Sequence, residues 1–98
     1  MDGEQVKAKL LPHAPELNAA GILHLDLHGS VARGEATASS DVDLIADFDR
    51  EKRLTLFDLA GLQIRLSDIL NVPVDLSDRR MLKDEVKDRA ERESVFVF

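Results

Sequence analysis

Two stretches decide the reading of this chain: Leu27-His28-Gly29-Ser30-Val31-Ala32-Arg33-Gly34-Glu35 and, a few residues on, Ser40-Asp41-Val42-Asp43-Leu44-Ile45. The first closes an alternating run, Ile22 to His28. It sets Leu23, Leu25 and Leu27 on one side and His24, Asp26 and His28 on the other, the pattern of a half-buried strand. The second opens another strand, Val42 to Phe48, with Val42, Leu44, Ala46 and Phe48 on one face and Asp41, Asp43, Ile45 and Asp47 on the other. Between them, Gly29 to Ser40 is small and polar.

Working outward, Glu4 to Leu11 reads as a helix with Val6, Leu10 and Leu11 at helical spacing, and Pro15 to Ala20 as a second short helix stopped by Gly21. Thr55 with Asp58 forms a capping box for a helix to about Leu70, its stripe being Leu56, Leu59, Leu62, Leu66, Ile69 and Leu70. Pro73 to Leu76 is a short third strand, and Met81 to about Glu93 a last, mixed-charge helix whose charges read first as a solvated face. The apolar tail Val95-Phe96-Val97-Phe98 adds to a sheet edge, covers a core or meets another subunit; the intramolecular options are favoured. The strand–helix–strand passage from Val42 to Leu76 should join parallel strands, whereas the first two strands should be antiparallel. The expected fold class is therefore α/β or α+β: a small mixed sheet flanked by helices, in one domain covering residues 1–98.

Composition narrows the function. The chain has 98 residues, 44% hydrophobic and 33% charged, with formal net charge −6 and no cysteine. This is a globular composition without a thiol nucleophile, a disulfide scaffold or a cysteine-type zinc site. The acidity gives no general attraction to nucleic acid or to anionic membranes, so direct nucleic-acid binding is not expected. No apolar run reaches the ~20 residues of a membrane span, and the first residues lack signal-peptide features, so a cytoplasmic protein is expected.

The chemistry lies in the acids and the glycine. Residues two apart on a strand point the same way, so Asp41 and Asp43 crowd two carboxylates on one face. A hard divalent cation relieves that conflict, and Mg²⁺ is commonly held by one or two carboxylates plus substrate phosphates. If the third strand lies beside the second, Asp75 joins the same face, giving a carboxylate set suited to two-metal phosphoryl transfer. Asp78 stands close by as the alternative third acid. Gly29 lets backbone approach an anion, Ser30 can cap the turn that follows, and Arg33 can add a charged fork to the same phosphates or merely pair with Glu35 or another surface acid. No P-loop or dinucleotide fingerprint is present. The row His24, Asp26, His28 has metal-compatible spacing but reads first as a solvated strand face, and His13 as a surface residue.

Taken together, Gly29-Ser30, ten further residues, Asp41-Val42-Asp43 and the later Asp75 resemble the signature of the DNA polymerase β-like nucleotidyltransferase superfamily, and within it the minimal nucleotidyltransferases. The resemblance covers nearly the whole chain. It implies that Gly29 and Ser30 hold the triphosphate, and that Asp41, Asp43 and Asp75 bind Mg²⁺, two ions in all. Asp75 would also serve the attacking hydroxyl. ATP would be the substrate, AMP the group transferred and pyrophosphate the leaving group. It further implies a HEPN-domain toxin as partner, adenylylated on a tyrosine by a chain that acts as its antitoxin. His28 departs from the pattern, which usually has Phe or another apolar residue before Gly-Ser. Two other readings stay open: an antitoxin acting by contact alone, and a transferase acting on a small molecule. Neither the acceptor nor any homo- or hetero-oligomeric state is specified by the sequence.

Overall fold

In the computed structural model, residues 1–34 and 41–98 are described; residues 35–40, including Glu35 and Ser40, lie outside the described residues. The elements run α1 (Gly3–Leu10), α2 (Ala14–Ala19), β1 (Ile22–His28), α3 (Gly29–Ala32), β2 (Val42–Phe48), α4 (Leu56–Leu70), β3 (Val74–Asp78), α5 (Asp84–Glu93) and β4 (Val95–Phe96). Short 3₁₀ turns span Leu11–His13, Arg50–Lys52 and Arg79–Met81.

Local chemistry explains the boundaries. Asp2 accepts from the Gln5 amide while the Gln5 side chain accepts from the Asp2 amide, so α1 opens with two of its free donors satisfied. The expected box at α4 is present: the Thr55 amide donates to Asp58 Oδ2 at 2.8 Å, and the Asp58 amide to Thr55 Oγ1 at 3.2 Å. Asn71, at φ 58°, closes α4 in the left-handed region that Asn tolerates better than most residues. The Ser67 hydroxyl then donates to the Val72 carbonyl at 2.6 Å, turning the chain into β3.

The sheet order is β3-β2-β1-β4. β1 and β2 are antiparallel, β2 and β3 parallel, and the tail forms β4 antiparallel to β1. The sheet is thus mixed, and the tail adds to its edge within the chain. β3 is an edge strand, and the Leu76 amide is satisfied at 2.9 Å by Gln63 of α4. One sheet face packs on α1, α2 and α4 through Val6, Leu10, Leu17, Leu25, Leu27, Leu44, Leu62, Leu66 and Leu70, all buried in one cluster. At about 1.5–3 kcal/mol for each large aliphatic side chain, this layer is the main source of stability.

The two crossovers β2–α4–β3 and β3–α5–β4 travel in opposite directions along the sheet. The right-handedness that parallel crossovers almost always adopt then puts α4 and α5 on opposite faces. Ile45 and Ala90 are accordingly buried outside the main cluster, at 3% and 0% exposure.

Three expected core positions are corrected. Leu23 is 40% exposed because the β1–β2 register shifts between Ile22 and His24, which turns Ile22 inward in its place. Leu56 is 83% exposed, since the buried stripe of α4 begins one to two turns later, at Leu59 and Leu62. Leu11 is exposed because α1 ends at Leu10 and Pro12 leads a 3₁₀ turn. The remaining elements differ from expectation only at their ends: β3 continues to Asp78, and the last helix starts at Asp84 after the separate 3₁₀ turn.

Candidate active site

The sheet register gathers the acids. Asp43 on β2 stands opposite Asp75 on β3 and, on its other side, opposite His28 at the end of β1. Asp41 lies two residues before Asp43 at the mouth of β2 and is exposed, as is Asp75, whereas Asp43 is half-buried. Asp78 faces Ala46, on the other side of the sheet, and caps the following 3₁₀ turn through the Arg80 amide at 3.0 Å. The register therefore brings Asp75, not Asp78, to Asp43.

Gly29 follows His28 directly and has φ +80°, a conformation that costs a side chain strain. A Cβ built on it would sit 2.3 Å from Asp43 Oδ2. The turn α3 is thus pressed against the Asp43 carboxyl, and the absence of a side chain at residue 29 allows that approach. The turn has His28 in its N-cap position and no side-chain cap, so Ser30, its second residue, does not cap it as expected, and Arg33 caps its end. Arg33 Nη1 lies 3.7 Å from Glu93 Oε2 at the end of α5, while the expected pairing with Glu35 lies outside the described residues.

Burial pushes the Asp43 carboxyl above its ordinary value. The Asp75 charge raises it further and Asp41 adds to this, while His28 and Arg33 offset part of the rise. Asp43 therefore carries an anionic charge that its own surroundings do not fully compensate. Among the described residues no three His, Asp or Glu side chains converge closely enough to hold a cation by themselves. That donor set nevertheless suits Mg²⁺, which takes hard oxygen ligands and completes its shell with water and phosphate oxygens. Asp41, Asp43 and Asp75 are the side chains that could hold it.

Sequence reasoning missed a neighbouring cluster. Arg79, after β3, spans to β2 with its Nε 2.9 Å from Asp47 Oδ1, and to β1 through an ion pair with Asp26. The paired carboxylates raise its already high pKa against the effect of burial, which is the largest single influence. Asp26 thus serves a structural ion pair, and His24 sets its ring 6.0 Å from that of Phe96. The His24, Asp26, His28 row is not a metal site among the described residues. His13 is an exposed residue paired with Glu16.

Comparison with known proteins agrees with this architecture. A protein adenylyltransferase, MntA, of Thermococcus cleftensis is 34% identical over 95 residues, covering 96% of this chain and 94% of its own length. A Methanocaldococcus jannaschii relative, named as a candidate protein adenylyltransferase, is 31% identical over 97 residues, covering 99% of both chains. A solved structure presented as a candidate minimal nucleotidyltransferase superposes with TM-score 0.81 at 34% identity, over 97% of this chain and 95% of the other. A toxin–antitoxin structure with AMP-PNP shares the fold at TM-score 0.75 and 20% identity, over 94% of this chain and 72% of the other. No helix among the described residues is long and apolar enough to cross a membrane. The nucleotidyltransferase domain model matches residues 9–98, and with relatives this similar over their whole length the chain belongs to the nucleotidyltransferase family, among its minimal, MntA-like members.

Proposed function

We propose that this chain transfers AMP from ATP, with Mg²⁺, to a hydroxyl of a partner protein, a tyrosine of a HEPN-domain toxin, and thereby acts as an antitoxin in the cytoplasm. The observation that carries the reading is the register pairing of Asp75 with Asp43, beside a glycine turn that abuts the Asp43 carboxyl. The names of the relatives support protein adenylylation, and the toxin–antitoxin neighbour supports a toxin partner and a nucleotide substrate.

In the proposed reaction the acceptor oxygen forms a bond to the α-phosphorus. The bond from that phosphorus to the bridging oxygen breaks, and pyrophosphate leaves with the bond's electron pair. Asp75, exposed at the edge of the site, takes the hydroxyl proton. Gly29 and Ser30 cradle the triphosphate with backbone at close range, and Arg33 contributes charge to its phosphates. Asp41, Asp43 and Asp75 would hold Mg²⁺, which when bound neutralises phosphate charge and favours the hydroxyl as nucleophile. The chain's own contribution is placement and charge compensation, which supply most of the rate enhancement in such transfers.

The test is intact-mass spectrometry of the protein that co-purifies with this chain, before and after ATP and Mg²⁺, with an Asp41→Ala/Asp43→Ala double variant in parallel. The expected result is a gain of one or more adenylyl units on the partner, absent with the variant. A bound, unmodified partner that gains nothing would refute transfer and favour neutralisation by contact.

A further inference from the structure

The register that pairs Asp75 with Asp43 and Asp43 with His28 continues one strand further. Asp26 pairs with Phe96 and Leu27 with Val95, so the next step sets His28 opposite Ser94, at the junction of α5 and β4. Asp75, Asp43, His28 and Ser94 thus form one row that runs across β3, β2 and β1 to the residue just before β4. Leu27 belongs to the main core and Val95 packs against it, so His28 and Ser94 face the other side, the side of Asp43. Two buried side-chain polar atoms among the described residues have no hydrogen-bond partner, and they are His28 Nδ1 and Ser94 Oγ. Leaving a buried polar group unpaired is costly, because its lost hydration is not replaced. Two such atoms at opposing positions of one row are most simply each other's partners. The Arg33–Glu93 ion pair anchors the end of α5 immediately before Ser94. The nearby Asp26–Arg79–Asp47 cluster is already internally paired, so it does not compete for either atom.

We propose that His28 and Ser94 are positioning residues for Asp43: the Ser94 hydroxyl donates to His28 Nδ1, and the Nε2–H so fixed donates to the Asp43 carboxylate. This rests on the reading of Asp43 as an active-site acid. Carboxylates that ligate metals are characteristically hydrogen-bonded from behind, and a histidine's tautomer is set by the bond its other nitrogen makes. An apolar residue at position 28 could fill the space but could not hold the carboxylate's direction.

Two measurements on the full chain test it. The first is ¹⁵N NMR of the imidazoles without metal or nucleotide, in mildly alkaline buffer. The expected His28 signals are an acceptor Nδ1 and a protonated Nε2, with a shift toward mixed tautomers in Ser94→Ala and restoration in Ser94→Thr. The second is Mn²⁺ binding in the presence of α,β-methylene ATP, followed by electron paramagnetic resonance. His28→Phe and Ser94→Ala should each weaken Mn²⁺ by about 10-fold, Ser94→Thr should bind like the wild type, and Asp43→Asn should bind far more weakly. If Asp43→Asn weakens Mn²⁺ while Ser94→Ala changes neither tautomer nor affinity, the support role is overturned and the site stands. If Asp43→Asn binds Mn²⁺ as the wild type does, the site reading and the support role fall together.

Discussion

Replacing Gly29 with alanine separates placement from stability. The backbone at φ +80° imposes about 1–2 kcal/mol of strain on an added side chain. The new Cβ would lie 2.3 Å from Asp43 Oδ2 and 3.3 Å from Asp43 Cγ, so the carboxyl must retreat by about an ångström to reach ordinary contact. Because the obstructing atom is the free end of a short side chain, that retreat is cheap for folding. The expected stability loss is therefore only the strain, about 1–2 kcal/mol, or a fall in Tm of roughly 5–15 °C for a domain this small. Activity should suffer more, since misplacing a reacting group by about 1 Å costs on the order of 100-fold. Urea melts and circular dichroism would measure the first effect. Pyrophosphate release during adenylyl transfer to the partner, at a temperature where the variant is folded, would measure the second. A folded Gly29→Ala protein within a few-fold of wild-type turnover would refute the argument, because the close approach of turn to carboxyl would then have no part in transfer.

Other perturbations probe the remaining layers. The raised pKa of Asp43 means that the folded state holds its proton more tightly than the unfolded chain does. Between the ordinary value of 3.8 and the raised folded value, stability contributed by this group falls as pH rises. Wild type should thus lose stability relative to Asp43→Asn as pH rises from the ordinary carboxylate value through the raised one, as read from paired urea titrations; a wild type that gains over that window would contradict the crowding account. Arg79→Met leaves Asp26 and Asp47, diagonal neighbours on a partly buried surface, without their shared cation. It should cost about 2 kcal/mol, largely recovered when both acids become asparagine, as measured by chemical denaturation. Leu66→Ala should cost about 2–5 kcal/mol and Leu56→Ala no more than about 0.5, because only the first is buried; equal losses would place the stripe of α4 wrongly.

Much of this was legible in the sequence because the two central strands carry strong period-two patterns. Val42, Leu44, Ala46 and Phe48 all face the core as alternation requires, and the spacing of Gly29-Ser30 to Asp41-Val42-Asp43 survives as spatial adjacency. Failures occurred where a local pattern met a non-local constraint. Leu23 fits the alternation, but a register shift that no single strand encodes turns it outward. Leu56 fits helical spacing, yet whether the first turn of α4 reaches the core depends on where β2 ends and how the chain enters the helix. The Arg79 ion pairs join residues 32 and 53 positions apart, and one arginine among many charges bears no local mark of them. Ser94 was invisible for a similar reason: its place opposite His28 exists only once a two-residue strand has chosen β1 as its neighbour.

That choice also accounts for how so short a chain sustains a polar row across its sheet. A half-buried carboxylate beside a second one weakens β2 unless something compensates. The fold meets this by separating two tasks. The face toward α1, α2 and α4 supplies nearly all the apolar burial, while the opposite face keeps only small buried patches such as Ile45 and Ala90. The polar face can then hold its acids apart from the main core, with Arg79 tying β1, β2 and the end of β3 together further along. The return of the chain through α5 brings Glu93 to Arg33 and Ser94 to the end of β1, so the last residues close the site that the first strand opens. Removing the tail should therefore damage metal binding as well as stability, a coupling that a tail serving only as edge cover would not produce.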